Sequence, residues 1–311
     1  MNTLKEIEIN RLEDKAYEIR KLTVEMITCA QWGHIGGSFS LAEILSTLYF
    51  KVLRVDPGQP KDENRDYVIL SKAHCSPAFY ASLALKGFFL EDDLYSYCKL
   101  GGLEGHLDMH ATPGLEVSGG SLGMGLSYSV GIALGLRLKE RFAQRVYCII
   151  GDGELSEGQI WEAAMSAGHY KLDNLIVVID YNKVMAKGFV SDEMTQEPLK
   201  SRWESFGWNV IEVDGHDVAD LYKAFYQAKY IEVIGKPVCI IAHTVKGKGV
   251  EQCEFNYKWH THAPSIEKAE EFLRELSKTY SKPYEGIKKP PQPNDDGSLS
   301  AVIGGMENAI L

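Results

Sequence analysis

Apolar positions along the chain fall into two patterns. Short apolar runs at 67–70, 146–150, 175–179, 208–213 and 237–242 end at Gly, Asp, Asn or other polar residues. Val146–Ile150 is continuous and β-branched at both ends, so it reads as a strand buried on both faces. Elsewhere the apolar residues recur at helical spacing. Ile7, Leu12, Ile19, Leu22, Met26 and Ile27 predict a long helix over 4–30. Ser40-Leu41-Ala42-Glu43 reads as a capping box opening a helix with Leu41, Ile44, Leu45, Leu48, Tyr49 and Val52 on its inner face. Ser76-Pro77 opens another helix that Gly87 stops. Helices over 123–142, 158–170 and 217–230, and one capped at Ser265, complete the series. Strands alternating with helices predict an α/β fold, a doubly wound, mostly parallel sheet flanked by helices.

A chain of 311 residues, 45% hydrophobic, can bury one large core or two small ones. Acidic residues outnumber basic ones 43 to 33, and the net charge of −10 argues against a nucleic-acid binder. An anionic ligand is not excluded, because local donors decide that. Cys29, Cys75, Cys98, Cys148, Cys239 and Cys253 form no Cys-x-x-Cys pair, and Cys148 and Cys239 fall inside predicted strands, as in a reduced intracellular protein. With a charged N-terminus and no apolar run of spanning length, a cytoplasmic protein without membrane contact is expected. Residues 1–281 are expected to form one domain. The Pro-, Lys- and Asp-rich residues 282–311 read as a tail or linker.

The chemistry concentrates between Val146 and Met185. Two parallel strands joined by a helix form a right-handed unit that delivers both carboxyl ends to one edge. Asp152 and Asn182 then stand side by side where open α/β sheets bind ligands. A carboxylate, an amide oxygen and a backbone carbonyl just after Asn182 are hard donors. They suit an octahedral Mg²⁺ completed by a diphosphate and water. Gly153 lets the backbone approach that diphosphate. Gly-Asp-Gly alone is an ordinary turn; the flanking strands and Asn182 favour a site. No Gly-x-Gly-x-x-Gly follows the first strand, which argues against a nicotinamide dinucleotide. The Gly-rich loop 99–125 is long enough to read as functional, and 187–198 reads as lid-like. His34, His74, His106 and His260 all fall in loops, where imidazoles can donate and accept near neutral pH. His110, His216, His243 and His262 read as surface or structural. Gly131 and Gly135, one turn apart, permit close helix contact in the core or across a subunit boundary.

Gly151-Asp152-Gly153 followed by Asn182 resembles the thiamine diphosphate fingerprint, and Gly-Asp-Gly-Glu-Leu-Ser-Glu-Gly-Gln-Ile-Trp-Glu-Ala-Ala-Met resembles transketolases. Further strings are similar in the same order: Gly33-His34-Ile35-Gly36-Gly37, Leu70-Ser71-Lys72-Ala73-His74, Gly105-His106, Thr112 to Gly123, Thr244-Val245-Lys246-Gly247-Lys248-Gly249 and Trp259-His260. The resemblance spans residues 15 to 265 and implies the N-terminal, cofactor-binding part of the enzyme. Nothing after Trp259-His260 resembles the two further domains of a full-length transketolase. The chain therefore resembles the N-terminal subunit of a split enzyme whose C-terminal transketolase subunit is a separate chain, with a heterotetramer as the implied assembly. The implied reaction passes a two-carbon ketol unit from a ketose or its phosphate to an aldose. The implied cofactors are thiamine diphosphate and Mg²⁺, or another divalent cation such as Ca²⁺ or Mn²⁺. An orphan half is also expected to self-associate through exposed apolar surface.

The resemblance also implies residue roles. Asp152, Asn182 and the backbone carbonyl of Val184 correspond to metal ligands. Gly153, Asn182, His74 and His260 correspond to contacts with the cofactor, and the backbone of Gly120, Ser121 and Leu122 lines its rings. His34, His106 and His260 face the sugar as catalytic groups. Glu157 corresponds to a buried acid at the subunit contact, and equally suits a carboxylate favoured by a helix N-terminus. Lys246 either reaches the cofactor or is a solvated loop lysine. Three positions depart from the family pattern: Gly37 for Ser or Ala, Met124 for Gln, and Thr261-His262-Ala263 for Gly-Lys. The last lies near His260 and leaves the sugars open. Competing readings keep the cofactor but change the chemistry (a 2-oxoacid dehydrogenase subunit or a deoxyxylulose-type synthase), or keep only the fold, as a non-enzymatic paralogue.

Overall fold

The structure, a computed structural model, describes residues 3–231 and 235–288. In chain order, α1 (Glu6–Ala30), α2 (Ile35–Phe39) and α3 (Ala42–Thr47) precede β1 (Tyr67–Leu70), α4 (Ser76–Lys86) and α5 (Met124–Leu138). Then follow β2 (Val146–Gly151), α6 (Gly158–His169), β3 (Leu175–Tyr181), α7 (Val190–Glu193) and α8 (Leu199–Ser205). β4 (Asn209–Asp214), α9 (Val218–Tyr230), β5 (Val238–His243) and α10 (Ile266–Thr279) close the series. All five predicted strands form, in one parallel sheet of order β1-β2-β3-β5-β4.

Alternate strand residues feed two cores. Leu70, Tyr147, Ile149, Ile176, Val178 and Ile240 pack with apolar residues of α1, α3, α4 and α9. Ile69, Cys148, Ile150, Val177, Ile179 and Ile241 pack with those of α5, α6 and α8 on the other face. Burial on both faces is the reason these strands read as unbroken apolar runs. A third cluster joins the outer side of α1 to α2 and α10. All six cysteines are free, and Cys148 and Cys239 are buried in β2 and β5.

Several local expectations are corrected. Ser40 makes no capping box: α3 begins at Ala42, and the Ser40 hydroxyl instead donates to Asp180 at 2.6 Å. A buried carboxylate is the stronger acceptor, and Glu43, the other half of the expected box, is held by Arg20. Helix α5 stops at Leu138 rather than Phe142, because Glu140 turns left-handed (φ 57°) and the Arg141 N–H closes on Leu136 O at 2.8 Å. The lid-like stretch is partly helical, with α7 inside it and α8 directly after it. Residues 282–288 have no regular element, and the Ile287 and Lys288 N–H groups bond Glu270 and Glu25. The remainder of the expected tail, 289–311, lies outside the described residues. Among the described residues no helix is long and apolar enough to cross a membrane.

Asp66 ties the amino end of the sheet together. It has no solvent exposure and accepts from Arg54 Nη2 at 2.9 Å, Lys229 Nζ at 3.0 Å and the Arg145 N–H at 2.9 Å. Burial raises its pKa, but Arg54, Lys229 and the backbone N–H groups more than reverse this, so the carboxyl lies below its usual range. A lowered folded-state pKa contributes stability above the unfolded value, about 3.9, and that contribution is lost as pH falls through the folded value. Asp66→Asn leaves Lys229 without its buried counter-charge. It is expected to lower the unfolding free energy by roughly 3 kcal/mol at pH 7. In urea titrations the gap between variant and parent should narrow below about pH 4.

Candidate functional site

The register of the three central strands builds the site. Gly151 of β2 pairs with Asp180 of β3, and Asp180 with Ala242 of β5. The residues just beyond these positions therefore emerge together at the carboxyl edge. Asp152 Oδ1 accepts from the Gly153 N–H at 2.7 Å, and Oδ2 from the Lys183 N–H. Asn182 Oδ1 accepts from the Val184 N–H at 3.1 Å, across a left-handed turn at Lys183 (φ 69°). The Val184 carbonyl accepts from Lys246 Nζ at 2.8 Å. Asp152, just beyond β2, thus bonds the short turn of Asn182 and Val184 just beyond β3, as expected for adjacent strand ends.

Asp152 is buried, and its pKa is pushed up to about 7, first by burial and then by the charge of Asp180. A divalent cation would relieve both effects. Among the described residues no group of three or more His, Cys, Asp or Glu side chains gathers as a metal site. A set of one carboxylate, one amide and one carbonyl is of another kind, and these oxygen donors fit Mg²⁺ or Ca²⁺.

The four loop histidines converge beside this turn. His34 lies with ring centroids 5.0 Å from His74, 5.2 Å from His260 and 6.4 Å from His106. His74 and His260 are 5.2 Å apart. Burial is the first cause that lowers the pKa of the three inner rings: His34 to about 4, with His106 and Lys246 adding; His260 to about 3, with Lys246 next; and His74 well below its usual value. These rings are neutral at pH 7. Lys246 Nζ stands 2.9 Å from His260 Nδ1, so the ammonium donates there and leaves the His260 Nε2–H as a donor toward the cleft. Lys246 is also buried, which lowers its pKa to about 8, with the Lys72 charge next in effect. It is not a solvated loop lysine. Buried His34 Nδ1 has no partner within the chain, an orphan that a bound molecule can satisfy.

Gly120 and Ser121 are exposed, and with Leu70, Met124 and Tyr128 they line a groove of about 200 Å³; Leu122, next to them, is half-buried. Glu157 is exposed and makes no side-chain cap to α6. The buried acid of this segment is Glu154, whose Oε1 accepts from the Ser71 hydroxyl and, at 2.7 Å, from the Gly123 N–H, while Oε2 accepts from the Gly151 N–H at 2.9 Å. Gly123 itself is left-handed (φ +86°). A Cβ on Gly37 would stand 2.8 Å from Cys75 Sγ, which explains Gly at that departure from the family pattern.

Sequence reasoning missed Glu154, Lys72, Asp180 and Trp32, whose ring lies 5.2 Å from His34 and 6.1 Å from His106. One signal was available for Asp180: a charged residue closing an apolar strand needs a buried partner. Of the histidines set aside, His216 is structural, with Nδ1 2.8 Å from Glu43 Oε2 and Nε2 accepting from the Val245 N–H at 2.8 Å.

Comparison with known proteins gives the family and the fold. The family profile described as transketolase, thiamine diphosphate binding domain, matches residues 12–285. The chain is 42% identical over 268 residues to the 6-deoxy-6-sulfo-D-fructose transketolase subunit SqwG of Clostridium sp. (strain MSTE9), covering 86% of this chain and 96% of that protein. It is 39% identical over 277 residues to an apulose-4-phosphate transketolase subunit of Phocaeicola vulgatus, covering 89% of this chain and 97% of that protein. Among solved structures, the transketolase of Campylobacter jejuni superposes with a TM-score of 0.83 at 32% identity, covering 94% of this chain and 45% of that one. The chain thus spans less than half the length of that solved transketolase.

Glu154→Ala removes the acceptor of two buried N–H groups and a hydroxyl. It is expected to cost about 3 kcal/mol of unfolding free energy in chemical denaturation. Glu157→Ala, on an exposed side chain, should change it by less than about 0.5 kcal/mol.

Proposed function

Because the chain belongs to the transketolase thiamine diphosphate-binding domain family, we propose that it is the cofactor-binding subunit of a two-chain transketolase, moving a two-carbon ketol unit from a ketose or its phosphate to an aldose. The observation that carries this reading is the convergence of His34, His74, His106 and His260 beside the turn of Asp152, Asn182 and Val184. In this reading Asp152, Asn182 Oδ1 and the Val184 carbonyl hold the divalent cation. His74, His260 and the Gly153 N–H contact the diphosphate, and the Lys246 ammonium, whose N–H groups go to Val184 O, Met185 O and His260 Nδ1, adds its charge. Thiamine diphosphate, when bound, supplies the electron sink for breaking and remaking the carbon–carbon bond. The chain's own contribution is donors and geometry. His260 offers an Nε2–H, and neutral His34 and outermost His106 hydrogen-bond the sugar oxygens and pass protons between them. Trp32 borders the same mouth.

The need for a second chain rests on two supports. The two subunit relatives described above are matched over nearly their whole length. The outer face of α5 is also open: nothing lies within 4 Å of where a Cβ would stand on Gly131 or Gly135, and Tyr128 and Leu138 are exposed. An apolar helix face with small residues that this chain does not crowd leaves room for another backbone. The exposed backbone of Gly120 and Ser121 beside it would then line the cofactor rings between the two chains. Glu157, exposed near that face, suits the subunit contact.

Calorimetric titration of the assembled protein should show thiamine diphosphate binding that requires Mg²⁺. Asp152→Ala should weaken it by about 100-fold or more, the loss of a direct metal ligand exceeding that of its outer partners, and unchanged affinity in that variant would overturn the metal assignment. With the partner chain supplied, ketose-to-aldose transfer should appear, and His106→Ala should lower kcat/KM by about 10²-fold or more. Absence of transfer from every ketose tried would favour a binding subunit instead.

A further inference from the structure

Lys72, in the string Leu-Ser-Lys-Ala-His, and Asp180, the penultimate residue of β3, take no part in the roles assigned above. They are also among the least exposed charges of the molecule, at 2% and 0%. Asp180 Oδ2 accepts from Ser40 Oγ at 2.6 Å, from Asn182 Nδ2 at 2.9 Å and from Lys72 Nζ, and Oδ1 accepts from Thr244 Oγ1. Every donor comes from a segment that also carries a site residue. Ser40 follows the His34 loop, Lys72 precedes His74, Thr244 precedes Lys246, and Asn182 is the metal-holding amide itself.

We propose that Asp180 is the positioning residue for Asn182, and that its contacts lock the three ligand-bearing loops to that amide. The proposal rests on the function proposed above. An amide has a donor end and an acceptor end of nearly the same shape, so a bare asparagine at a strand end has two orientations of similar energy. Beside Asp180 they are unequal. With Nδ2 on the carboxylate and the Val184 N–H on Oδ1, the amide oxygen is presented at the turn of Asp152 and Val184, and the carboxylate is the charged half of that pair of contacts. The flipped amide would set its oxygen against an anionic oxygen and leave a buried donor unmatched. Lys72 makes the device possible, because a carboxylate without water needs a counter-charge to stay ionised. Lys72 also donates to the Gly37 carbonyl at 3.3 Å, adding a second tie to the His34 loop.

A merely structural role for Asp180 predicts lost stability at unchanged metal affinity, and that separates the two. The test uses the full chain in the assembly in which it purifies, with Mn²⁺ as probe, titrated by electron paramagnetic resonance in the presence of thiamine diphosphate. Asp180→Asn replaces the carboxylate with a neutral, weaker acceptor and leaves the Val184 N–H as the main guide of the Asn182 amide. Mn²⁺ affinity should fall about 10- to 100-fold, the range seen for outer partners of metal ligands. Thr244→Val and Ser40→Ala, which remove one donor each and leave the Lys72 pair intact, should shift it in the same direction by less. Asp66→Asn, which destabilises the far end of the sheet, should leave it unchanged. Wild-type affinity in a folded Asp180→Asn variant would overturn the proposal. If that variant does not fold, wild-type affinity in both Thr244→Val and Ser40→Ala would do so. Should the unaltered protein bind no Mn²⁺ with the cofactor present, the failure belongs to the proposed function and not to Asp180.

Discussion

Asp180 stands near the end of the central strand with no solvent exposure, and it keeps its charge because Lys72 is set against it. Breaking such a pair leaves one charge buried and uncompensated. The constraint reaches further than the pair. Lys72 cannot approach Asp180 unless the segment after β1 folds down over the sheet edge, which brings His74 with it. Ser40 and Thr244 bond the same carboxylate, so the His34 loop and the Lys246 loop are drawn to the same point. The ligand edge is thus four chain segments gathered around one anion.

The electrostatics of the cleft follow from that packing. The chain as a whole is acidic, at −10, yet two buried ammonium groups, Lys72 and Lys246, act on the turn of Asp152 alongside the Asp180 carboxylate. The inner imidazoles are buried beside these ammonium groups, and both effects keep them neutral. A neutral ring can donate and accept at once, whereas an imidazolium only donates. The same burial leaves Asp152 hungry for a cation. The deep end of the cleft therefore accepts an anion and a metal ion together better than either alone.

The cleft is built unevenly. Its deep end, around Asp152, Lys246 and the inner histidines, is closed by this chain's own side chains. Its other end, at Gly120 and Ser121, is exposed backbone beside an open helix face. Tight spacing supports the closed end: Gly37 is crowded by Cys75, and Glu154 anchors the left-handed turn at Gly123 from below.

The strands, their parallel pairing and the neighbouring ends of β2 and β3 were legible in the chain, because burial on both faces writes an unbroken apolar run and a right-handed crossover leaves one arrangement. The Asp152 and Asn182 pair followed from that, and the loop histidines stood out by their setting among glycines. Ser40 was misread for the opposite reason. Its spacing to Glu43 satisfied a local rule, yet its hydroxyl bonds a residue 140 positions away. Lys72 and Asp180 are 108 apart, and Ser71 and Glu154 are 83 apart. Periodicity and turn chemistry are properties of neighbours along the chain, so the sequence alone settled the layers and the edge at which a ligand meets them. Which buried donor answers which buried acceptor depends on distances that exist only after the sheet has closed, and tertiary structure alone decided that.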